Sequence, residues 1–237
     1  MTLERVPRHI GIILDGNRRF AKKLMLKPWM GHEWGAKKLR QFLDWCRELG
    51  IKEVTAYTLS IQNFDRPKEE FDYLMKLFLN EFTELMQSAK VAELKQKGIR
   101  ITFIGRVHLF PQPVQAAMHK LMELTKDNTP YRVNFAMAYG GREEVIDAVK
   151  KLGKDVQKGK LDIDAINEEV FGKYLYINAD PDLIIRTGGE KRTSNFLPWQ
   201  GIYSEWFFID KPWPEFEKAD LVTVLEEFQQ RERRFGR

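Results

Sequence analysis

The sequence predicts an α/β fold: a single domain over residues 1–237 with a central, mostly parallel six-stranded sheet flanked by helices. Three observations predict it. Short apolar runs rich in β-branched and aromatic residues recur with little polar alternation, the pattern of strands covered on both faces. Longer stretches with helical spacing separate them, and strands alternating with helices imply a parallel sheet. No internal repeat, low-complexity tract or Ser/Gly linker interrupts the 237 residues, so nothing marks a domain boundary.

Residues 10–14, Ile-Gly-Ile-Ile-Leu, read as the first strand, and a helix begins just after Asp15-Gly16-Asn17. Leu39, Phe42, Leu43, Cys46 and Leu49 repeat at helical spacing, with Gly50 as the stop. A second strand fits residues 53–59. Pro67 then opens a helix running to about Lys97, with Gly98 as its stop. Its stripe is Phe71, Leu74, Met75, Phe78, Phe82, Leu85, Met86 and Ala89, and roughly 30 residues would span about 45 Å. Strands follow at 100–104, 131–137, 182–185 and 206–209; helices fit 114–126, 143–158, 163–171 and 219–233.

A chain of this size can bury roughly 70–75% of its unfolded surface and needs no covalent or metal staple. Its one cysteine, Cys46, excludes an internal disulfide and a cysteine-based zinc site. No apolar run approaches a membrane span, and residues 1–8 lack the apolar core of a signal peptide, so the expectation is a soluble, cytoplasmic protein. Lys and Arg total 39 against 34 acids, a net charge of +5. That excess fits nucleic acid, an anionic membrane surface or a phosphorylated substrate, and only placement chooses between them.

In open parallel sheets, ligands bind beyond the carboxyl ends of the strands. Five predicted strand ends each deliver arginine: Arg18 and Arg19, Arg66, Arg106, Arg142, then Arg186 and Arg192. Their convergence on one edge would make a polyanion site. Their position in loops rather than along one helix face weakens the nucleic-acid reading. In Asp15-Gly16-Asn17, Gly16 allows close approach of a ligand, and the following helix offers free N–H groups to a phosphate. Asp15 among cations makes sense as a Mg²⁺ ligand beside a diphosphate, although a helix cap on a solvated basic turn also explains it. Arg186-Thr-Gly-Gly-Glu-Lys-Arg192 with Ser194 suits a further phosphate, with a plain polar loop as the alternative. Glu205, at the start of an apolar strand, needs a partner, either a metal or an arginine. His32 follows a glycine and can face a phosphate, whereas His119 reads as a helix surface residue and Cys46 as core. P-loop, dinucleotide and nucleophile-elbow motifs are absent.

Together these pieces resemble the cis-prenyltransferases, the family of undecaprenyl and dehydrodolichyl diphosphate synthases, over nearly the whole chain. The matching segments are His9-Ile-x-x-Ile-Leu-Asp15-Gly-Asn17-Arg-Arg19-Phe-Ala-Lys-Lys, Gly31-His32, Ser60-Ile-Gln-Asn63-Phe-Asp-Arg66-Pro, Asn134 through Tyr139-Gly-Gly-Arg, the Arg186 to Gln200 loop, and Glu205 with Trp213-Pro. The double arginine is similar to archaeal and eukaryotic members. The resemblance implies that an allylic diphosphate is joined to isopentenyl diphosphate, with a Z double bond formed and pyrophosphate released. It implies Mg²⁺ held by Asp15 and Glu205, and catalysis by Asp15, Asn63 and Arg66. It also implies substrate contacts from Gly16, Asn17, Arg18, Arg19, Phe20, His32, Ser60, Phe64, Arg186, Arg192 and Ser194. An apolar tunnel beside the sheet would hold the growing chain, with the 71–89 stripe as a wall and Thr58 and Tyr131 near its floor. A homodimer is implied too, with Arg234-Phe235-Gly236 reaching the other chain's site, as is peripheral membrane contact, without nucleic acid.

This chain departs from the family pattern at Gln62, where most members have Glu, and at Pro28, where an Arg usually stands. Lys191 replaces a bacterial His, and Phe64 replaces a Trp. Gln62 and Pro28 motivate a second reading, a head-to-middle condensation or a short product. A non-catalytic partner subunit is a third, opposed by retention of Asp15, Asn17, Arg186 and Arg192.

Overall fold

Strands without polar alternation must be covered on both faces, and here they are. The computed structural model describes residues 5–231. Its six strands are β1 (His9–Ile13), β2 (Glu53–Ser60), β3 (Ile99–Ile104), β4 (Tyr131–Tyr139), β5 (Leu183–Arg186) and β6 (Glu205–Phe208). They form one sheet in the order β3-β4-β2-β1-β5-β6, and every pairing is parallel. The chain leaves β1 on one side for β2 and returns on the other as β5. The carboxyl end of β1 is therefore the switch point at which such sheets open a crevice.

The helices are α1 (Asn17–Lys23), α2 (Gly31–Glu48), α3 (Lys68–Leu85), α4 (Ser88–Gln96), α5 (Gln112–Thr125), α6 (Gly141–Gln157), α7 (Glu168–Gly172) and α8 (Lys218–Gln230). One core packs Ile10, Ile12, Val54, Ala56, Ile101, Phe103, Val133 and Phe135 of the sheet with Leu39, Phe42 and Cys46 of α2 and Leu74, Phe78 and Phe82 of α3. A second, on the opposite face, joins Ile13, Tyr57, Ile104, Ala136 and Ile184 to Phe196 and Leu197.

The expected 67–97 helix is not continuous. Met86 closes α3 by donating to the carbonyls of Phe82 and Thr83, and Gln87 is extended (ψ 140°) before α4 begins. A straight rod of about 45 Å would overrun strands of at most nine residues, about 30 Å long, and the break folds α4 back over β3. The expected 163–171 helix also divides. Asp162 and Asn167 each accept a backbone N–H of a fresh turn, Asp164 and Val170 respectively, and so restart the chain twice. Conversely, α2 begins eight residues before Leu39. Gly31 and Gly35 carry no helical signal, but a Cβ on them would fall 2.0 Å from the Asn17 carbonyl oxygen and 2.3 Å from its Oδ1. They let α2 lie directly against the start of α1. The predicted end of the last helix, 232–233, lies outside the described residues.

Candidate active site

Two residues beyond β1, Asp15 is fixed by five partners. Its Oδ1 accepts the Gly16 N–H at 2.7 Å and lies 3.5 Å from Arg19 Nη2. Its Oδ2 accepts from Arg186 Nη2 at 2.8 Å. Its carbonyl accepts from Thr187 Oγ1 at 2.8 Å and from the Trp213 N–H at 2.9 Å. Gly16 turns the chain in the left-handed region at φ 104°, where a Cβ would stand 2.7 Å from Pro212 Cα. Glycine is required there on both counts.

Arg186 ends β5 next to Ile13 in register. It is 3% exposed. Besides Asp15, its guanidinium donates to the Arg192 carbonyl at 2.5 Å and to Ser194 Oγ at 2.6 Å, while its Nε has no partner among the described residues. Arg186 thus shapes its own loop as well as presenting charge.

A second cationic group forms around Glu70, a buried carboxylate on the first turn of α3. Arg66 Nη1 donates to Glu70 Oε1 at 2.7 Å and to His32 Nε2 at 3.3 Å. Arg18 Nη2 lies 3.7 Å from Glu70 Oε2. Arginine has no acceptor, so His32 Nε2 must accept, which places the imidazole proton on Nδ1. Burial first, then the charges of Arg66 and Arg18, push the His32 pKa down to about 3. His32 is therefore neutral at physiological pH. Asn63 and Ser60 cap one another across the turn after β2: Asn63 Oδ1 accepts the Ser60 N–H at 3.2 Å, and the Ser60 side chain accepts the Asn63 N–H. Asn17 donates to the Leu14 carbonyl at 2.9 Å, and its buried Oδ1 has no partner among the described residues.

These groups line the mouth of a cavity of about 770 Å³ between the sheet and α2, α3 and α4. Asp15, Asn17, His32, Asn63, Arg66, Arg186 and Ser194 all face it. Its middle is apolar: Leu39, Leu43 and Cys46 follow one face of α2, and Phe78, Phe82 and Leu85 one face of α3, opposite Val54, Ile101, Val133 and Phe135. The expected α3 wall is thus real from Phe78 onward, while Phe71 packs instead on Phe64. Thr58 and Tyr131 both line the cavity, the latter with the Lys52 ammonium 4.6 Å above its ring. Arg40 bridges α2 to Glu81 and Glu84 of α3, and Lys97 joins Asp44 to Glu93, closing the far side with ion pairs.

Some expected residues stand elsewhere. Arg106 is bound bidentately by Asp147 at 2.9 Å and does not join the cluster, because β3 is the sheet edge furthest from β1. Arg142 is exposed at the start of α6, where its N–H is fixed by Asn195 Oδ1. The Arg192 side chain is exposed and pairs with Glu190, so its carbonyl rather than its guanidinium meets Arg186. Phe20 and Phe64 pack on Trp34 and Phe110 respectively. Glu205 lies opposite Leu183 at the amino end of β6, the wrong end of the sheet to share an ion with Asp15 of the same chain, and Arg231 holds it at 2.7 Å. Glu70 is the site residue the sequence reading lacks, and the i, i+4 spacing of Arg66 and Glu70 behind Pro67 was the available signal for it. Trp213, part of the Trp213-Pro segment of the resemblance, is fully buried and donates to the Gly35 carbonyl at 2.9 Å.

Among the described residues no three acidic, His or Cys side chains come together to hold a metal. Of the two carboxylates among these arginines, Asp15 faces the cavity, while Glu70 is buried against Arg66. That donor set fits Mg²⁺, which takes one or two carboxylates and completes its shell with substrate phosphates and water. It does not fit a cage made by protein alone.

A parallel sheet with anion-binding groups at its switch point and an apolar cavity beside them defines a protein that handles an apolar chain carrying a phosphate head. Residues 13–236 match the family described as "Putative undecaprenyl diphosphate synthase". The tritrans,polycis-undecaprenyl-diphosphate synthase (geranylgeranyl-diphosphate specific) of Methanopyrus kandleri is 50% identical over 235 residues, covering 98% of this chain and 86% of that one. Its namesake from Pyrococcus horikoshii is 50% identical over 234 residues, with 98% and 88% covered. Among solved structures, lavandulyl diphosphate synthase from Lavandula x intermedia, in complex with dimethylallyl diphosphate, superposes with a TM-score of 0.89 at 35% identity over 98% of both chains. A "probable undecaprenyl diphosphate synthase" from Campylobacter jejuni gives 0.80 at 29% identity, with 98% and 100% covered. The chain belongs to the cis-prenyltransferase family, the cis-type prenyl diphosphate synthases.

Proposed function

We propose that this enzyme elongates geranylgeranyl diphosphate with successive isopentenyl diphosphate units into a linear Z-polyprenyl diphosphate, a precursor of glycosyl carrier lipid. One observation carries the reading: Arg66 and Arg186 face the mouth of an apolar cavity, and with neighbouring Arg18 and Arg19 they make four guanidiniums paired to two carboxylates, Asp15 and Glu70, among the described residues. The primer follows the names of the two archaeal relatives.

In each round the allylic C1–O bond breaks and pyrophosphate leaves with the electron pair. The isopentenyl double bond supplies the electrons of the new C–C bond, and a proton is lost to form the Z double bond. The leaving diphosphate gathers negative charge, which Arg18, Arg19 and the first N–H groups of α1 stabilise. Neutral His32 offers its Nδ1 proton, while Arg66 and Asn63 orient the reacting ends. Arg186 and Ser194 hold isopentenyl diphosphate, and Arg192 joins them by exchanging its exposed Glu190 pair for the diphosphate. Mg²⁺, held by Asp15, neutralises diphosphate charge when bound. Phe78, Phe82, Leu43 and Val133 keep water from the growing chain.

We further propose a homodimer. The open edge of β6, with Trp206 and Phe208 stacked, and the exposed side chains of Ile202, Tyr203, Ile146 and Val149 support it. Residues 234–236, expected to reach the other chain's site, lie outside the described residues. No described helix is long and apolar enough to cross a membrane, and peripheral contact is part of the proposal.

The test is purified protein with Mg²⁺, isopentenyl diphosphate and a panel of allylic primers, reading product mass and double-bond geometry. Linear Z products from geranylgeranyl diphosphate support the reading. Branched products, or no elongation of any primer, overturn it.

A further inference from the structure

The end of α1 carries a feature that neither the sheet nor the diphosphate cluster uses. The helix closes with the Leu26 N–H reaching back to the Ala21 carbonyl at 3.0 Å and the Met25 N–H to that of Lys22 at 3.0 Å. This is a Schellman turn, whose left-handed position normally holds glycine. Here Met25 occupies it at φ 56°. Its side chain is 96% exposed, and that of neighbouring Leu24 is 48% exposed. An apolar side chain at this place is disfavoured twice, by the backbone and by water.

The surroundings name a partner. Lys22, Lys23 and Lys27 are exposed around the two apolar residues. Lys27 lies 5.2 Å over the half-buried Trp29 ring. Lys23 and Lys27 pair with Glu215 and Glu69 at 2.9 and 2.8 Å, but such exposed pairs are weak and exchange readily for other anions. Apolar tips ringed by lysine and tryptophan are the composition of the bilayer interface, where long cationic side chains reach the headgroups. The seven residues of α1 span about 10 Å, so the turn stands close to Asn17 at the cavity mouth.

We propose that the Leu24–Met25 turn is a membrane-docking tip: its two side chains enter the acyl boundary of an anionic bilayer while Lys22, Lys23 and Lys27 meet headgroup phosphates. The purpose of such a tip, bringing the cavity mouth to the bilayer for apolar substrate and product, rests on the proposed function; its chemistry does not. Contacts this few make the binding reversible and salt-sensitive.

The test is co-sedimentation of the full chain with vesicles of phosphatidylcholine alone or with about 30 mol% phosphatidylglycerol, an anionic content that sets up the surface potential. The wild type is expected to bind the anionic vesicles at least tenfold better than the neutral ones. Met25→Asn combined with Leu24→Ser should lower that binding at least fivefold, and Met25→Gly alone at least twofold. Both replacements at 25 suit the left-handed turn, so the melting temperature should hold or rise. Turnover in detergent should be unchanged in both variants. Wild-type binding below that of a neutral-vesicle control, or equal binding by wild type and variants, overturns the proposal. Loss of self-association in the variants with vesicle binding intact also overturns it, by assigning the tip to a protein contact. Vesicle binding without elongation of any primer would leave the tip standing and refute the proposed function instead.

Discussion

His32 offers a test in which the magnitude follows from the site. Burial, Arg66 and Arg18 hold its pKa at about 3, whereas an unfolded histidine titrates near 6.5. Between those values the unfolded chain binds a proton that the folded chain refuses. Stability therefore rises with pH across this window: the contribution is complete above about 6.5 and is lost as pH falls toward 3. At 1.36 kcal/mol per pH unit, moving from pH 8 to pH 5 should cost about 2 kcal/mol through this residue. His32→Gln keeps a hydrogen-bonding side chain for Arg66 and removes the titration. Urea denaturation of both proteins at pH 8 and pH 5 gives a double difference in which the other titrating groups cancel. The wild type should lose about 2 kcal/mol more than the variant. Parallel losses would refute the depressed pKa of His32.

Asp15→Asn keeps an acceptor for Arg186 and should lower turnover at least 100-fold with little change in melting temperature; near-normal turnover would remove Asp15 from the chemistry. Asp15→Ala should in addition cost about 3 kcal/mol, because it strips a buried guanidinium of its carboxylate, and a calorimetric scan checks this. Gly16→Ala meets Pro212 and a left-handed backbone together, so a loss above about 2 kcal/mol and of most turnover is expected; wild-type stability would contradict the geometry. Tyr131→Ala removes the ring under Lys52 and deepens the cavity. Product masses should shift upward, and an unchanged distribution would exclude Tyr131 as a stop.

All six strands were legible within about two residues, because a buried parallel strand is a local pattern: an apolar run with no alternation. Helix interruptions were less so. The break at Gln87 answers to the length of the sheet beneath, which the periodicity of residues 71–89 does not contain. At the site, Asp15, Asn17, Arg66, Arg186 and Ser194 come together as their strand-end positions imply, since parallel strands deliver their following loops to one edge. Arg106 obeys the same rule and still falls outside. Strand order, not sequence order, sets distance from β1, and β3 lies at the sheet's far edge. Glu205 has the partner its sequence position calls for, in Arg231, but it begins its strand, and within one chain only residues that end strands reach the edge where Asp15 stands. The structure also changes the meaning of Arg186. A strand-end arginine reads as an open anion donor, but this one is buried and already spends three hydrogen bonds on its own loop and Asp15.

The net charge of +5 says little by itself, because many cations are cancelled locally, as in Arg106 with Asp147, Lys97 with Glu93 and Lys211 with Asp220. The site differs in ratio rather than in number. Arg18 and Arg66 share Glu70, and Arg19 and Arg186 share Asp15, which leaves two positive charges uncompensated beside a cavity with apolar walls. Like charges held close together repel, and the low-dielectric apolar wall beside them strengthens the repulsion. That cost stands in the free protein and is relieved when a diphosphate arrives. It also adds to burial, the larger cause, in keeping His32 neutral. A further proton there would add a charge to a cluster already in excess, whereas a neutral Nδ1–H stabilises the same anion without that penalty.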